Sequence, residues 1–404
     1  MDNVTHTLVG LAAGELIHRS LPAETNDTDR SIRRRLLLIA CAVASNFPDL
    51  DLVLSPLLPP PLGYLLHHRG HTHTILYSLP QAFMMIAFIW FGWRNARELL
   101  RRSQAARTGL LIATLLGFTL HLSMDFLNSY GIHPFHPFDS RWFYGDMIFI
   151  IEPLFWISCG APLAVMIQKR KYRTMATALL IGLPALFAFE GFLAWYSVVM
   201  LALVMVGLSY LELKSEPRKS TALIAAAMTI VVFIAIQSFS SGLAKRALAI
   251  DLESETDGFV LHDVAASPLP SNPFCWTFVS VESNETKNSY RLRRGVLSVA
   301  SFVTAESCPL SLFRDRPAKK KTSGLEILGI ETGDLAQLRS VSRSNCHLAA
   351  WLRFARAPLV DANHALDMRF SSGGRPNFTT LELADFAGQD CPKGIPAWGI
   401  PRAD

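Results

Sequence analysis

At 404 residues the chain is long enough for two domains, and 50% of it is hydrophobic with a positive mean hydropathy, more than an ordinary globular protein carries. Its formal net charge of +5 comes without a basic patch interleaved with aromatics, so nothing supports a nucleic-acid partner. The apolar surplus stops at about residue 245, which excludes membrane-spanning helices from the last 160 or so residues.

Taken in chain order, residues 4–18 (VTHTLVGLAAGELIH) and 33–47 (RRRLLLIACAVASNF) are apolar but short. The first carries His6, Glu15 and His18, which lipid alone does not accept, so both are expected as helices packed against a bundle and crossing it only in part. Glu15 and the lack of positive charge before it argue against a cleavable signal peptide. Apolar runs of spanning length then lie near 75–93, 108–127, 147–168, 174–192, 194–213 and 220–240. The fold class expected is an all-α polytopic membrane bundle of about six to eight helices over 1–244, followed by a small, mainly-β, exported soluble domain over 245–404. In that domain FCWTFVSVES, YRLRRGVLSVASFV and HLAAWLRFARAPLV alternate or carry β-branched and aromatic residues, and SPLPSNP, RPAKKKTSG and SSGGRPN read as turns, which predicts a mainly-β domain with a little helix.

Basic residues orient the chain. Segments 30–35, 94–107, 169–173 and 214–219 hold sixteen Lys and Arg, whereas 46–73 and 128–146 hold two, Arg69 and Arg141. The count places 46–73, 128–146 and everything after about 242 outside the cytoplasmic membrane, in the periplasm of a two-membrane bacterium. Cys275, Cys308, Cys346 and Cys391 then share an oxidising compartment, with one or two disulfides expected and three connectivities open. Cys41 and Cys159 read as small core residues of apolar helices.

Polar residues gather at the level of the outer face: His6, Asp49 and Asp51 of NFPDLDL, His67, His68, Arg69, His71 and His73 of HHRGHTH, His121 and Asp125 of HLSMDFLNSYG, then His133, His136, Asp139, Asp146 and Glu152. The i,i+4 spacing of His121 and Asp125 puts both on one helical face inside an apolar span, where an ionisable side chain is costly unless paired or ligated. Two ligands for a divalent ion fit that pattern; so does a His–Asp hydrogen bond between helices. Asp49 and Asp51 add carboxylates at i,i+2 after Pro48, either as further ligands or as a helix cap. Gly70 permits a turn that points His68 and His73 at one place, with His67 and His71 read as solvated. Arg69 offers a bidentate anion contact or a snorkelling headgroup contact. Trp142, Phe143 and Tyr144 read as an interfacial aromatic anchor, and His18, His262, His347 and His364 as ordinary polar residues.

MDNVTHTLVG, the PDLD element, HRGHTHT, HLSMDFLNSYG and WFYGDMIFIIEP, in this order, resemble a membrane-bound family of the bacterial inner membrane, YdjM-like, whose members carry the label metal-dependent hydrolase. The likeness covers residues 1–160 closely and the following helices more loosely. Carried over by position, it implies a polar set of His6, Asp49, Asp51, His68, Arg69, His73, His121, Asp125 and Asp146. Leu52 stands where the family often has His, and Glu152 where Asp is usual, which leaves one ion or two open.

The resulting expectation is a hydrolase of an ester or phosphoester in a lipid or lipid-linked substrate at the outer face of the bilayer. His6, Asp49, His68, His73, His121 and Asp125 hold a divalent metal, zinc first, with manganese or iron as alternatives. Asp51 or Asp146 serves as general base, and Arg69 stabilises the anionic transition state. The alternative is a non-enzymatic metal-binding, transport or regulatory membrane protein. Against transport, residues 174–192, 194–213 and 220–240 hold almost no charge that would continue a polar path, and no inverted repeat is visible.

Overall fold

The computed structural model describes residues 1–216, 219–253, 257–309, 319–371 and 375–401. They form two compact units that do not follow chain order: Met1–Leu50, Thr72–Phe126 and Phe149–Ala235 make the first, and Asp51–His71, Leu127–Ile148 and Ile236–Asp404 the second.

In chain order the helical region comprises α1 (Asn3–Ser20), α2 (Asp27–Ala44), a 3-10 run Phe47–Leu57, α3 (Leu62–His67), α4 (Ile75–Gly92), α5 (Arg94–Arg102), α6 (Gln104–Phe126), α7 (Pro153–Val165), α8 (Arg170–Phe189), α9 (Trp195–Lys214) and α10 (Thr221–Glu253). Each start has a local cause where a cap is present: the Asp2 and Asn26 side chains accept from Thr5 N and Asp29 N, and Thr74 accepts from Tyr77 N. Six helical segments among the described residues are long and apolar enough to cross a membrane: Asp27–Leu57, Ile75–Gly92, Gln104–Phe126, Arg170–Phe189, Trp195–Lys214 and Thr221–Leu252.

That is the expected number with one exchange. The expected span at 147–168 holds a helix of only 13 residues, because Glu152 caps it, Pro153 opens it and Val165 closes it. At 1.5 Å per residue it covers about 20 Å, short of the roughly 30 Å of hydrocarbon. The segment expected at 33–47 instead extends into the 3-10 run and reaches spanning length.

In the first unit α1, α2 and α6 approach closely through small residues. A Cβ on Gly14 would stand 2.6 Å from the Leu37 carbonyl, and one on Gly117 would stand 2.4 Å from Ala44 Cβ. Only glycine permits these crossings, which bring the end of α2 against the outer part of α6.

The second unit holds a five-stranded antiparallel sheet ordered β1-β2-β3-β5-β4, from β1 (Val260–Pro268), β2 (Cys275–Asn284), β3 (Ser289–Ser298), β4 (Lys320–Lys321) and β5 (Leu325–Asp334). Helices α11 (Leu335–Ser344) and α12 (Cys346–Trp351) follow, then a three-stranded sheet of β6 (Pro358–Val360), β7 (His364–Asp367) and β8 (Leu381–Glu382). The C-terminal domain is thus mainly β, as expected. The little helix expected there includes the start of HLAAWLRFARAPLV: Asn345 caps α12 by accepting from His347 N and Leu348 N, and Leu348 and Trp351, three apart, enter the core together. Ala244, Leu248 and Leu252 of α10 pack against Val264, Ala266, Trp276 and Phe278, so the membrane helix continues into the core of the sheet domain. The four cysteines of the C-terminal domain pair as Cys275–Cys308 and Cys346–Cys391, while Cys41 and Cys159 are buried thiols.

Trp142 and Tyr144 do not form an interfacial anchor. Trp142 is buried among Tyr130, Trp351 and Phe354 and donates Nε1–H to the Arg353 carbonyl at 2.7 Å, and the Tyr144 ring carries the Arg356 guanidinium 4.1 Å from its centroid.

Candidate metal centre

Three chain segments of the first unit meet at one point. Asp49 lies at the start of the 3-10 run after α2, His73 in the turn before α4, and His121 and Asp125 one turn apart on α6. All four are buried, and one donor atom from each lies within 4.8 Å of the others. His73 Nε2 is 3.3 Å from Asp49 Oδ1 and 3.2 Å from Asp125 Oδ2. His121 Nε2 is 3.7 Å from Asp49 Oδ1, 3.3 Å from Asp125 Oδ2 and 3.0 Å from His73 Nε2.

These separations suit a shared ion. Bonds of about 2.0–2.2 Å in a tetrahedron put neighbouring ligand atoms about 3.3–3.6 Å apart. The second nitrogen of each ring is engaged outside the group. His121 Nδ1 donates to the Ser45 carbonyl at 2.7 Å, which leaves Nε2 facing the cluster. His73 Nδ1 lies 3.0 Å from Thr72 Oγ1, and its Nε2 faces the same point. Two ring nitrogens 3.0 Å apart beside two buried carboxylates need a proton or a cation among them.

His6 borders the group. Its Nε2 is 3.3 Å from Asp125 Oδ1 and its ring stacks on His121 with centroids 4.2 Å apart, while the Met1 amino group contacts the same carboxylate oxygen. The four donors within mutual reach therefore exclude His6, which meets them through the opposite oxygen of Asp125.

The remaining residues of the sequence-derived set belong to the second unit. Asp51 Oδ2 accepts from Arg69 N at 3.0 Å and Oδ1 lies 3.1 Å from His68 Nδ1. The Arg69 guanidinium is buried, donates from Nη1 to Asn128 Oδ1 at 3.0 Å and lies 4.5 Å from the Tyr130 ring centroid, so it does not snorkel. Its φ of +59° is the left-handed conformation that non-glycine residues seldom hold, a feature that concentrates at functional sites. Asn128, three residues after Asp125 in HLSMDFLNSYG, escaped selection although it stands in the motif. Its spacing was the available signal.

Asp146 has a different environment. Its carboxylate accepts from Arg356 Nη1 and Nη2 at 2.8 and 2.9 Å and from Lys245 Nζ at 2.7 Å. Burial acts to neutralise Arg356, but Asp146 and Asp263 outweigh it and hold the guanidinium above its ordinary pKa. Of the flanking histidines, His71 and His136 lie 4.7 Å from the Trp398 ring, and His67 is buried rather than solvated.

Among proteins of known sequence the chain is similar to YfhP of Bacillus subtilis (strain 168), described as an uncharacterized protein, at 29% identity over 165 residues. That alignment covers 41% of this chain and 46% of the relative, so the chain spans about half the length of the protein it matches. No solved structure matches. The ordered motifs, most of the membrane helices and the buried polar group lie in the stretch that matches a family model: residues 1–197 are similar to the YdjM inner membrane protein family.

Proposed function

We propose that the protein is a metal-dependent hydrolase embedded in the cytoplasmic membrane, with Asp49, His73, His121 and Asp125 as ligands of one divalent ion and His6 beside them. The observation that carries the reading is the convergence of four buried donors from three segments, two of them imidazoles whose second nitrogens are already fixed by Ser45 and Thr72. Mixed nitrogen and carboxylate ligands favour zinc, with manganese and iron next. Such an ion supplies Lewis acidity and a water of lowered pKa. Along the chain Asp51 stands two residues from Asp49 and Arg69 four before His73, and the proposal keeps Asp51 as base and Arg69 as the group that meets anionic charge. Asp146 is already bound by two cations, Arg356 and Lys245. A ligand set inside a membrane protein points to a lipid or lipid-linked ester or phosphoester, and the excess of Lys and Arg in alternate loops orients the site and the C-terminal domain outward.

The test is elemental analysis of the detergent-purified protein, wild type beside His121→Ala and Asp125→Ala, followed by assay of lipid phosphoesters. About one equivalent of metal in the wild type, lost in both variants, and ester cleavage lost with it are expected. A wild type that binds no supplied divalent ion overturns the reading.

A further inference from the structure

Helix α10 is 33 residues long, about 50 Å at 1.5 Å per residue, whereas the hydrocarbon it crosses is about 30 Å thick. Counted from Thr221, just after Lys219, the hydrocarbon is used up near Ser240, and Lys245 and Arg246 follow as headgroup-level cations. The outer part of the helix carries polar contacts at three successive turns. Gln237 donates from Nε2 to the Asn272 carbonyl at 3.4 Å, Ser241 donates to the Asp146 carbonyl at 2.7 Å, and Lys245 reaches the Asp146 carboxylate. Each step of four residues climbs about 6 Å along the helix. Asp146 therefore stands at the level of the lipid headgroups, and the 269–274 turn lies one helical step deeper.

That turn is tied to a second one. Val299 N donates to the Phe274 carbonyl at 3.0 Å, and the Phe302 ring stands edge-on to Phe274 with centroids 5.3 Å apart. Phe302 is 77% exposed, and Phe239, near the outer end of the apolar part of α10, is 70% exposed. A phenylalanine turned outward at a bilayer boundary can bury its ring among the headgroups and first acyl carbons.

We propose that the turns 269–274 and 299–303 rest on the bilayer that α10 crosses, with the Phe302 side chain inserted at the level of the lipid headgroups and first acyl carbons. The partner is the lipid surface itself, continuous with the lipid that covers Phe239 and the rest of the outward face of α10. The contact is independent of any chemistry at the metal centre and holds the sheet domain against the membrane at a second point besides the helix.

Phe302→Cys in the full-length protein, labelled with an environment-sensitive fluorophore and reconstituted in phosphatidylcholine–phosphatidylglycerol vesicles, tests it. Thr286→Cys, in the exposed turn between β2 and β3, serves as the aqueous reference, and the wild type, whose free thiols Cys41 and Cys159 are buried, sets the background. The expected result is a blue-shifted emission at 302, at least threefold stronger quenching by lipids spin-labelled near the headgroup than at 286, and protection from aqueous iodide. Iodide quenching at 302 equal to that at 286 overturns the proposal. So does shielding from iodide without quenching by the spin-labelled lipids, which would mean that a protein surface covers Phe302.

Discussion

Two groups of buried carboxylates, one in each unit, answer the cost of burial in different ways. In the second unit Asp146, Asp367 and Glu282 are met by arginine and lysine: Arg356 and Lys245 on Asp146, Arg369 on Asp367 at 2.8 Å, and Arg291 and Arg293 on Glu282, just as Arg19 and Arg34 meet the buried Glu15 in the first unit. A guanidinium is always charged and fits a carboxylate with two parallel hydrogen bonds, so each group is closed within the protein. In the first unit Asp49 and Asp125 face the Nε2 atoms of two imidazoles, which are neutral bases as readily as acids. Carboxylates matched by permanent cations are closed off; Asp49 and Asp125, matched by imidazoles, keep their oxygens within reach of a shared metal ion.

That contrast can be broken most sharply at Asp146. Asp146→Ala leaves the buried Arg356 with Asp263 as its remaining carboxylate partner, and because that pairing persists the cost falls below the about 3–5 kcal/mol of a buried pair broken outright. It should appear as a marked fall in the thermal midpoint of the detergent-solubilised protein while the metal content stays at the wild-type level. Loss of metal without loss of stability would instead make Asp146 part of the ion's site. A smaller effect is expected at the support of the ligands. Thr72→Val removes the hydroxyl beside His73 Nδ1, and loss of such an outer contact typically weakens metal binding about tenfold or more. Competition with a chelator of known affinity reads the change, and an unaltered affinity would show that Thr72 does not orient the ring. The smallest effect belongs to the exposed Arg94–Glu98 pair on α5: Arg94→Ala should change neither metal content nor thermal midpoint, since solvent screens such pairs.

Much of the first unit was legible because membranes impose strong rules. Length and apolarity locate five of the six spans, and the i,i+4 spacing of His121 and Asp125 presents them as a pair. The short α7 was misread because its apolar flanks, Met147–Ile151 and Met166–Ile167, extend the hydropathy beyond the helix that Pro153 starts and Val165 ends. His68 and His73, five apart in one motif, go to different groups because the chain turns through the left-handed Arg69 between them, a backbone event that histidine spacing does not reveal. The cations on Asp146 were illegible for another reason. Lys245 and Arg356 come from 99 and 210 residues away, and nothing local to either marks it as a partner.

The interleaving of the two units also sets a schedule for synthesis. The Leu66 carbonyl accepts from Trp398 Nε1 at 2.8 Å across 332 positions, and the same indole stacks near His133. At about 5–20 residues per second, the loop bearing Arg69 leaves the ribosome roughly 20–60 s before the tryptophan that packs against it exists. Through that interval residues 51–71 and 127–148 must wait with their partners unmade. Until Trp398 is made the Leu66 carbonyl lacks the indole donor it has in the finished fold, so this turn completes its packing only after the segment bearing Trp398 has emerged.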